Sequence, residues 1–502
     1  MYRQTIIKGA IILTIANVIT RIIGFFYRIY MAKTIGAEGM GLYQLITPLY
    51  LLVWSVSSSG LSTTMSKLTA QEKARGAIGN VKRLLHYSLA ATIIIALTFS
   101  LVIYNFSEEI AEVIVKDIRT ALSLRIISLC FPFMAAGSVL RGYYLGLQNT
   151  SISAISQVLE QSIRMLVIYL LAHTFIPKGL EYACGAAVCG MAAGEIVSFL
   201  YVFVYYIFKR KKYTPPIITP KGAISMIGAM AIPLTLNRMA GSLFSTAENL
   251  LIPQQLQIYG MTQTEAISLL GRLTGMAMPL ITFPSSLLTA LATATMPAIS
   301  ESYALHRHDR IKSTLNQSLT ITAIIGVFTT GMFMAFPTEL GILIYSQRQI
   351  GTMLKTLAIM CPFMYIQVTM SAVLNGLGEQ LFIFKTGLFS SAINLFAICF
   401  IIPFYGIYGF IYPWIMNSIV ITFITIYRVS KVLQIKIPLS KQYIKPALAI
   451  TAACLCGKLG FHHIWNNIEY KYSIIATLAA AFLIYIFLIF QLGCISKEDL
   501  KI

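Results

Sequence analysis

Two arginines lie near the start of the chain in an apolar stretch where charge is costly. The stretch VITRIIGFFYRIYMA, residues 18–32, has the composition of a membrane-spanning helix but contains Arg21 and Arg28. A charged side chain in the hydrocarbon of a bilayer costs a few kcal/mol. The two arginines are two helical turns apart and share one face with Asn17 and Gly24. This polar stripe predicts an anion-binding surface, because a guanidinium group can bind phosphate through two parallel hydrogen bonds.

Two further arginines occupy comparable positions later in the chain. Arg238, in the segment NRMAG, matches Arg21 in TRIIG, and Arg272 lies in the next apolar segment. If the helices that carry them face each other, the four arginines line one cavity. Polar and acidic side chains of the same segments are expected to contact the ligand or to balance part of the charge; they are Asn17, Gln44, Asn237, Glu195 and Glu248.

Structural roles are the alternative interpretation of these arginines. Glu160 precedes Arg164 by one helical turn, the favoured order for an ion pair along a helix, so this pair is expected to be structural. Glu248 or Glu195 could each neutralise one cavity arginine, and Arg28 could instead extend towards the lipid headgroups. The arginines outnumber the acids near them, so the pattern favours an anion site.

The composition is that of a polytopic membrane protein. Of the 502 residues, 57% are hydrophobic and 11% are charged, and the mean hydropathy is +0.76. These are too few polar residues to cover the surface of a soluble protein of this length. The net charge of +20 is concentrated in particular loops, which indicates membrane topology and contact with anionic lipids rather than nucleic-acid binding. Most of the eight cysteines lie in apolar runs without the spacing of a metal site.

Breaks at polar and Pro/Gly clusters predict an all-α membrane protein with about fourteen spanning helices. Loops after even-numbered spans are basic, so the positive-inside rule places both termini in the cytoplasm, in agreement with an even number of spans. The predicted limits are 6–32, 41–66, 84–106, 121–146, 151–176, 181–208, 222–250, 267–297, 313–336, 350–377, 381–404, 406–430, 443–462 and 472–493.

The chain also contains an internal repeat. CFPFM at 130–134 recurs as MCPFM at 360–364. LGLQN at 145–149 recurs as NGLGE at 375–379. Matches in the same order predict two pseudo-symmetric lobes of six helices, an architecture typical of transporters. The predicted divisions are a first lobe at 1–208, a basic linker at 209–221, a second lobe at 222–432, and two added helices with a short tail at 433–502.

Four segments carry a resemblance to a known family: TRIIGFFYRIYMAKTIGAEGMGLYQL, SVLRGYYLGLQN, QVLEQSIR and PLITFPSSLLTALATATMPAISES. They resemble the stage V sporulation protein B family, in the polysaccharide-transport branch of the multidrug/oligosaccharidyl-lipid/polysaccharide flippase superfamily, which is similar to the lipid II flippases. The resemblance implies two six-helix lobes with alternating access to a central cavity. It also implies an undecaprenyl-diphosphate-linked peptidoglycan precursor as substrate, for the spore cortex, and Arg21, Arg28 and Arg272 as its contacts. The internal repeat, rather than the resemblance, adds Arg238 to these predicted substrate contacts.

The sequence therefore predicts a flippase, not an enzyme, in the bacterial cytoplasmic membrane. It has no G-x-x-x-x-G-K-[ST] nucleotide site, no cofactor is expected, and the energy source is open between the membrane potential and a coupling ion acting at Glu248 or Glu195. The expected partners are a polyprenyl-diphosphate-linked glycan and anionic lipids. A monomer is expected, and contact with cell-wall synthases stays open.

Two alternative functions stay open. One is a cation-coupled multidrug exporter of the same superfamily, although the arginines would repel its cationic ligands. The other is a membrane glycan polymerase or lipid-diphosphate phosphatase, although the short outer loops show no paired carboxylates of the kind that such chemistry needs.

Overall fold

A computed structural model describes residues 2–209, 218–435, 439–463 and 470–494 of the chain. Regular structure in these ranges is entirely helical. The α-helices are α1 Tyr2–Trp54, α2 Gly60–Ala74, α3 Ile78–Asn105, α4 Ser107–Glu109, α5 Ala121–Ser128, α6 Phe131–Gly146, α7 Thr150–Phe175, α8 Leu180–Phe208, α9 Pro220–Ile258, α10 Gln263–Leu270, α11 Met278–Ala304, α12 His308–Ala335, α13 Pro337–Tyr345, α14 Gln349–Leu357, α15 Cys361–Gly376, α16 Gln380–Phe400, α17 Ile402–Tyr405, α18 Tyr408–Leu433, α19 Leu439–His463 and α20 Tyr470–Gln491.

The predicted all-α membrane fold is confirmed, and every predicted span coincides with helix. Among the described residues, eleven helices are long and apolar enough to cross a membrane, or up to twelve when the bent pair Ile118–Ser128 and Phe131–Gly146 forms one span. One of the eleven, Ile11–Ala74, contains two predicted spans, and α19 is not among them. The total of fourteen crossings therefore stays a prediction.

A single glycine breaks the long first helix. Gly36 has φ 72° and ψ −174°, a backbone conformation that residues with a β-carbon rarely adopt. The break falls between the first two predicted spans, where the chain must turn back. After the break, α1 continues through a π-helical turn, Ser55–Ser59, into α2.

The chain forms two compact units, Met1–Gly275 and Met276–Ile502. The first unit contains α1 to α10, so the first two helices of the predicted second lobe belong to it. Most of the predicted linker, 209–221, lies outside the described residues. The division into lobes at this linker concerns topology and stays a prediction.

Each unit has a core of its own built from aliphatic side chains. In the first unit, Leu84, Leu85 and Val139 are buried with the side chains of neighbouring helices. In the second unit, Leu319 and Met370 have the same role. The outer faces are apolar as well, as lipid requires, with exposed large hydrophobic side chains such as Leu101 and Phe400.

Glycines bring α7 and α8 into close contact. The segment GMAAG has glycines at positions 190 and 194, the small-xxx-small spacing of tightly packed membrane helices. A β-carbon added at Gly190 would lie 2.8 Å from the carbonyl oxygen of Arg164. A β-carbon added at Gly194 would lie 2.7 Å from the carbonyl oxygen of Glu160. The two glycines therefore set the charged face of α7 directly against α8.

Gly194→Ala is expected to lower the thermal unfolding midpoint of the detergent-purified protein. The added methyl group would push α7 and α8 apart, at a cost of about 1–3 kcal/mol. Gly387→Ala on α16 is the matched control, because no atom lies within 4 Å of a β-carbon added there. This control should equal or slightly exceed the wild type. If the two variants unfold at the same temperature, the close packing does not support the unit.

Candidate functional site

The first polar stripe is exposed on α1. Asn17 and Arg21 are exposed, and Arg28 is half-buried. Between them, a β-carbon added at Gly24 would have only the Gln161 side-chain oxygen nearby, at 3.8 Å. Among the described residues, Arg21 and Arg28 form no ion pair with a carboxylate. The described part of the protein thus leaves the positive charge of this stripe uncompensated.

A second stripe with the same pattern lies on α9. Asn237, Arg238 and Gly241 are exposed, and no atom lies within 4 Å of a β-carbon added at Gly241. The sequence pattern R-x-x-G therefore recurs with open space one helical turn after the arginine. Gly241 and Arg238 also line a pocket of about 290 Å³ together with Ser245.

Arg238 differs from Arg21 because the protein itself holds its guanidinium group. That group donates hydrogen bonds to the Ser59 carbonyl and to the Thr63 hydroxyl, both at 3.2 Å. It also lies 5.9 Å from the centre of the Trp54 ring, within the range of a cation–π contact. Arg238 therefore fastens α9 to the segment that joins α1 and α2, in addition to lining its pocket.

Arg272 lines a different pocket. It lies in a π-helical turn, Gly271–Ala277, a rare geometry that is frequent at functional sites. Its side chain is half-buried, and its Nε is buried with no hydrogen-bond partner among the described residues. The pocket measures about 400 Å³ and includes Tyr259 and Glu265. Since Arg238 and Arg272 line separate pockets, one cavity for all four arginines stays a prediction.

Two of the other predicted neighbours, Gln44 and Glu248, lie on the helices that carry the stripes, and Glu195 lies on α8. Gln44 is buried on α1, where a β-carbon added at Gly275 would lie 3.7 Å from its Cγ. Glu248 is half-buried on α9. Glu195 forms no ion pair with a cavity arginine within the part of the chain that the structure describes.

A charged cluster lies inside the first unit, on α6, α7 and α8. Arg164 donates a hydrogen bond to Glu160 at 3.0 Å, the pair that the spacing along α7 predicts. The other oxygen of Glu160 lies 4.0 Å from Arg141 of α6, which donates to the Ser198 hydroxyl at 2.9 Å. The three charged side chains are only 13–14% exposed. One carboxylate thus serves two arginines, which makes Glu160 the centre of the cluster.

Glu195 is the second acid of this region. It lies on α8 and accepts a hydrogen bond from the Tyr50 hydroxyl of α1. Its other oxygen is buried with no hydrogen-bond partner among the described residues. Together with Glu160, it balances Arg141 and Arg164, so the cluster carries no net positive charge with which to hold an anion.

Sequence reasoning missed Arg141, Tyr50 and Ser198 as members of this cluster. A signal existed for Arg141, because an arginine within the apolar segment SVLRGYYLGLQN marks an intramembrane charge that needs a partner. No local signal identified Tyr50, because its contact with Glu195 joins residues 145 positions apart.

Comparisons with known proteins identify the family of the chain. The family described as polysaccharide biosynthesis protein matches residues 6–303, and the MatE family matches residues 273–409. The chain is 31% identical to stage V sporulation protein B of Bacillus subtilis (strain 168), over 100% of this chain and 98% of that protein. It is 24% identical to the lipid II flippase MurJ of the same organism, over 64% of each chain.

Solved transporter structures share the fold. A structure titled lipid II flippase MurJ, inward closed conformation, superposes with a TM-score of 0.71 at 16% identity, covering 95% of this chain and 98% of that chain. An inward-facing multidrug resistance MATE family transporter of the MOP superfamily has a TM-score of 0.65 at 14% identity, over 85% of this chain and 100% of that chain. At these identities the structures show the fold alone.

Glu160→Gln is expected to destabilise the protein strongly. Among the described residues, removing the shared carboxylate takes away the one acid in contact with Arg141 and Arg164 and leaves two buried arginines with a single acid, Glu195, in the region; breaking a buried ion pair in this way costs about 3–5 kcal/mol. Glu379→Gln is the matched control, because its partner Arg428 lies at a comparable 2.8 Å but the two side chains are 22% and 35% exposed. This control should cost about 1 kcal/mol.

Thermal unfolding of the two variants in the same detergent checks this prediction. A clearly lower midpoint for Glu160→Gln than for Glu379→Gln is the expected result. Equal midpoints would mean that the buried cluster adds no more to stability than an ion pair near the surface.

Proposed function

Because this chain belongs to the stage V sporulation protein B family, within the polysaccharide biosynthesis proteins, we propose that it carries a polyprenyl-diphosphate-linked glycan across the membrane by alternating access. The chain is a multi-pass membrane flippase or transporter of the MOP superfamily. The proposed substrate is a lipid II-like peptidoglycan precursor, delivered to the outer leaflet of the cytoplasmic membrane during sporulation. Both termini lie in the cytoplasm in this proposal, and the protein transports its substrate without chemical change.

The observation that carries this proposal is the uncompensated charge on α1. Arg21 is exposed and has no carboxylate partner among the described residues, although it lies in a spanning helix. An anionic ligand supplies the missing counter-charge. A diphosphate suits the site, because a guanidinium group binds phosphate oxygens in pairs.

The open glycines supply space beside the charge. Gly24 and Gly241 lie one turn from Arg21 and Arg238. A β-carbon added at Gly24 would meet only the Gln161 side chain, at 3.8 Å, and one added at Gly241 would meet no atom within 4 Å. A bulky headgroup such as a glycan can therefore approach the backbone next to its diphosphate. Arg28, Arg272, Asn17, Gln44 and Asn237 complete the proposed binding surface.

The membrane potential is the proposed energy source. An inside-negative potential favours the outward movement of an anion by about 2.3 kcal/mol per charge per 100 mV. A cationic drug, in contrast, would be repelled by the exposed arginines of α1, which argues against a multidrug exporter.

Arg21→Ala is expected to abolish complementation in bacteria whose essential lipid II flippase has been shut off. Loss of a charge-assisted hydrogen bond costs about 1.5–3 kcal/mol, which corresponds to a roughly ten- to hundredfold slower step. The measurement is the amount of lipid-linked precursor that accumulates in the inner leaflet. Lys33→Ala, an exposed position on the same helix, is the control and should retain function.

Three outcomes would contradict this proposal or narrow it. If Arg21→Ala works as well as the wild type at equal expression, the arginine does not bind substrate. If the folded wild type fails to relieve accumulation, the substrate is a different molecule. If Arg21→Lys retains full function, the charge alone matters and paired binding of phosphate is wrong.

Gly241→Leu tests the space beside the charge. The protein should fold normally, because no atom lies within 4 Å of an added β-carbon, but the isobutyl group should obstruct the headgroup. We expect normal expression with a reduction in complementation. Gly387→Leu on α16, equally open, is the control and should retain function. Full activity of Gly241→Leu would place the headgroup elsewhere.

A further inference from the structure

A pocket of about 350 Å³ lies at one end of the first unit, remote in sequence from the two R-x-x-G stripes. It forms where α2 ends and α3 begins, beside the last turns of α6 and α8. Tyrosine and lysine dominate the wall, which contains Tyr143, Tyr144, Tyr205, Tyr206, Lys73, Lys82 and Lys209. Neither the anion stripes nor the buried charged cluster uses these residues.

The aromatic wall is fixed by contacts between rings. The rings of Tyr143 and Tyr206 meet edge to face, with centres 6.1 Å apart and planes at 86°. Tyr144 and Tyr205 meet in the same way at 5.5 Å and 78°. Edge-to-face pairs of this kind are a favoured aromatic geometry. The pocket is therefore preformed rather than dependent on a ligand for its shape.

One of the lysines is also held in place. The Lys73 ammonium group donates a hydrogen bond to the carbonyl oxygen of Leu147, just after the end of α6, at 2.9 Å. A carbonyl oxygen is a neutral partner, so the ammonium keeps its net charge. An ammonium group has three donors, and two of them stay available for an anion.

The pocket's acid content can be read from its described lining. Its described lining residues include no aspartate or glutamate. The buried Glu72 of α2 is already bound by Arg75 at 2.9 Å and by Asn80 at 2.7 Å. The described part of the wall thus contains three lysines and no carboxylate.

The internal repeat places a different residue at the position in the second unit that matches Asn149 of this pocket. Asn149, in LGLQN, lines the pocket of the first unit, and Glu379 takes its place in NGLGE. Glu379 accepts a hydrogen bond from Arg428 at 2.8 Å, and that guanidinium lies 5.4 Å from the centre of the Phe382 ring. An internal carboxylate therefore balances the cation there, whereas the first unit has a neutral asparagine.

We propose that this pocket binds the phosphate group of an anionic phospholipid. The end of the unit that carries it is rich in lysine, so the positive-inside rule assigns it to the cytoplasmic leaflet, where anionic headgroups attract basic pockets between helices. The lysines contact the phosphate, and the tyrosine hydroxyl groups donate hydrogen bonds to its oxygens. Ile78, Val81 and Leu147 line the apolar part of the pocket, next to the glycerol backbone.

A thermal-shift titration of the full-length protein in detergent tests this proposal. The probes are dihexanoyl phosphatidylglycerol, dihexanoyl phosphatidylcholine and glycerol 1-phosphate. Phosphatidylglycerol should raise the unfolding midpoint saturably, since a ligand that binds only the folded state stabilises it. Lys82→Gln and Lys209→Gln should each raise the apparent dissociation constant for phosphatidylglycerol roughly fivefold, and the double variant should raise it further. Lys431→Gln, on the last turn of α18 in the second unit, is the control and should leave it unchanged.

Several results would overturn the assignment. An equal shift with phosphatidylcholine would mean that the acyl chains or the detergent cause the stabilisation. An undiminished response of the double variant would place the anion elsewhere. If glycerol 1-phosphate gives the same shift as phosphatidylglycerol, the ligand is a soluble phosphate and not a lipid. If the double variant does not fold, the titration of the single variant Lys209→Gln tests the assignment. This lysine is exposed at the end of α8, so its substitution should leave folding intact.

Discussion

The structure depends on one constraint, the cost of a charge within the hydrocarbon of the membrane. The chain meets this constraint in two ways. Arg141 and Arg164 share the carboxylate of Glu160 inside the first unit, and Glu195 supplies the second negative charge of the region, so the protein itself balances the two arginines. Arg21 has no such partner among the described residues, which is why a ligand is the natural source of its counter-charge. A buried ion pair contributes little by itself, but the loss of one member is expensive, so the cluster is held as a unit.

Glycines have two opposite roles in positioning these charges. Gly190 and Gly194 have no side chains, so α7 and α8 can touch at these positions. The backbone of Glu160 and Arg164 therefore packs directly against α8. Gly24 and Gly241 lie where an added β-carbon would meet only the Gln161 side chain or nothing, so the surface beside each arginine has room. The first role builds the rigid interior, and the second leaves room for a ligand. Sequence spacing alone does not distinguish them, because each role uses a glycine near a charged residue.

Much of the fold could be predicted from hydropathy, because a membrane allows a chain of this kind little besides helices. The ion pair between Glu160 and Arg164 could also be predicted, since both residues lie on one helix at a fixed spacing. Contacts between distant helices could not. Arg238 was expected to resemble Arg21, but its bonds to Ser59 and Thr63 depend on how α9 packs against α2. In the same way, the π-helical turn around Arg272 was not predicted from the spacing of residues in the sequence.

The shared carboxylate of Glu160 has a consequence for how the chain enters the membrane during synthesis. Arg141 emerges from the ribosome first, in an apolar helix that contains no acid. Its carboxylate arrives only with α7, which also brings Arg164, and the second acid, Glu195, arrives later still with α8. Each of these helices is therefore poorly suited to lipid by itself, while the three together are electrically balanced. Biogenesis of the first unit should accordingly release α6, α7 and α8 into the bilayer as a group rather than one helix at a time.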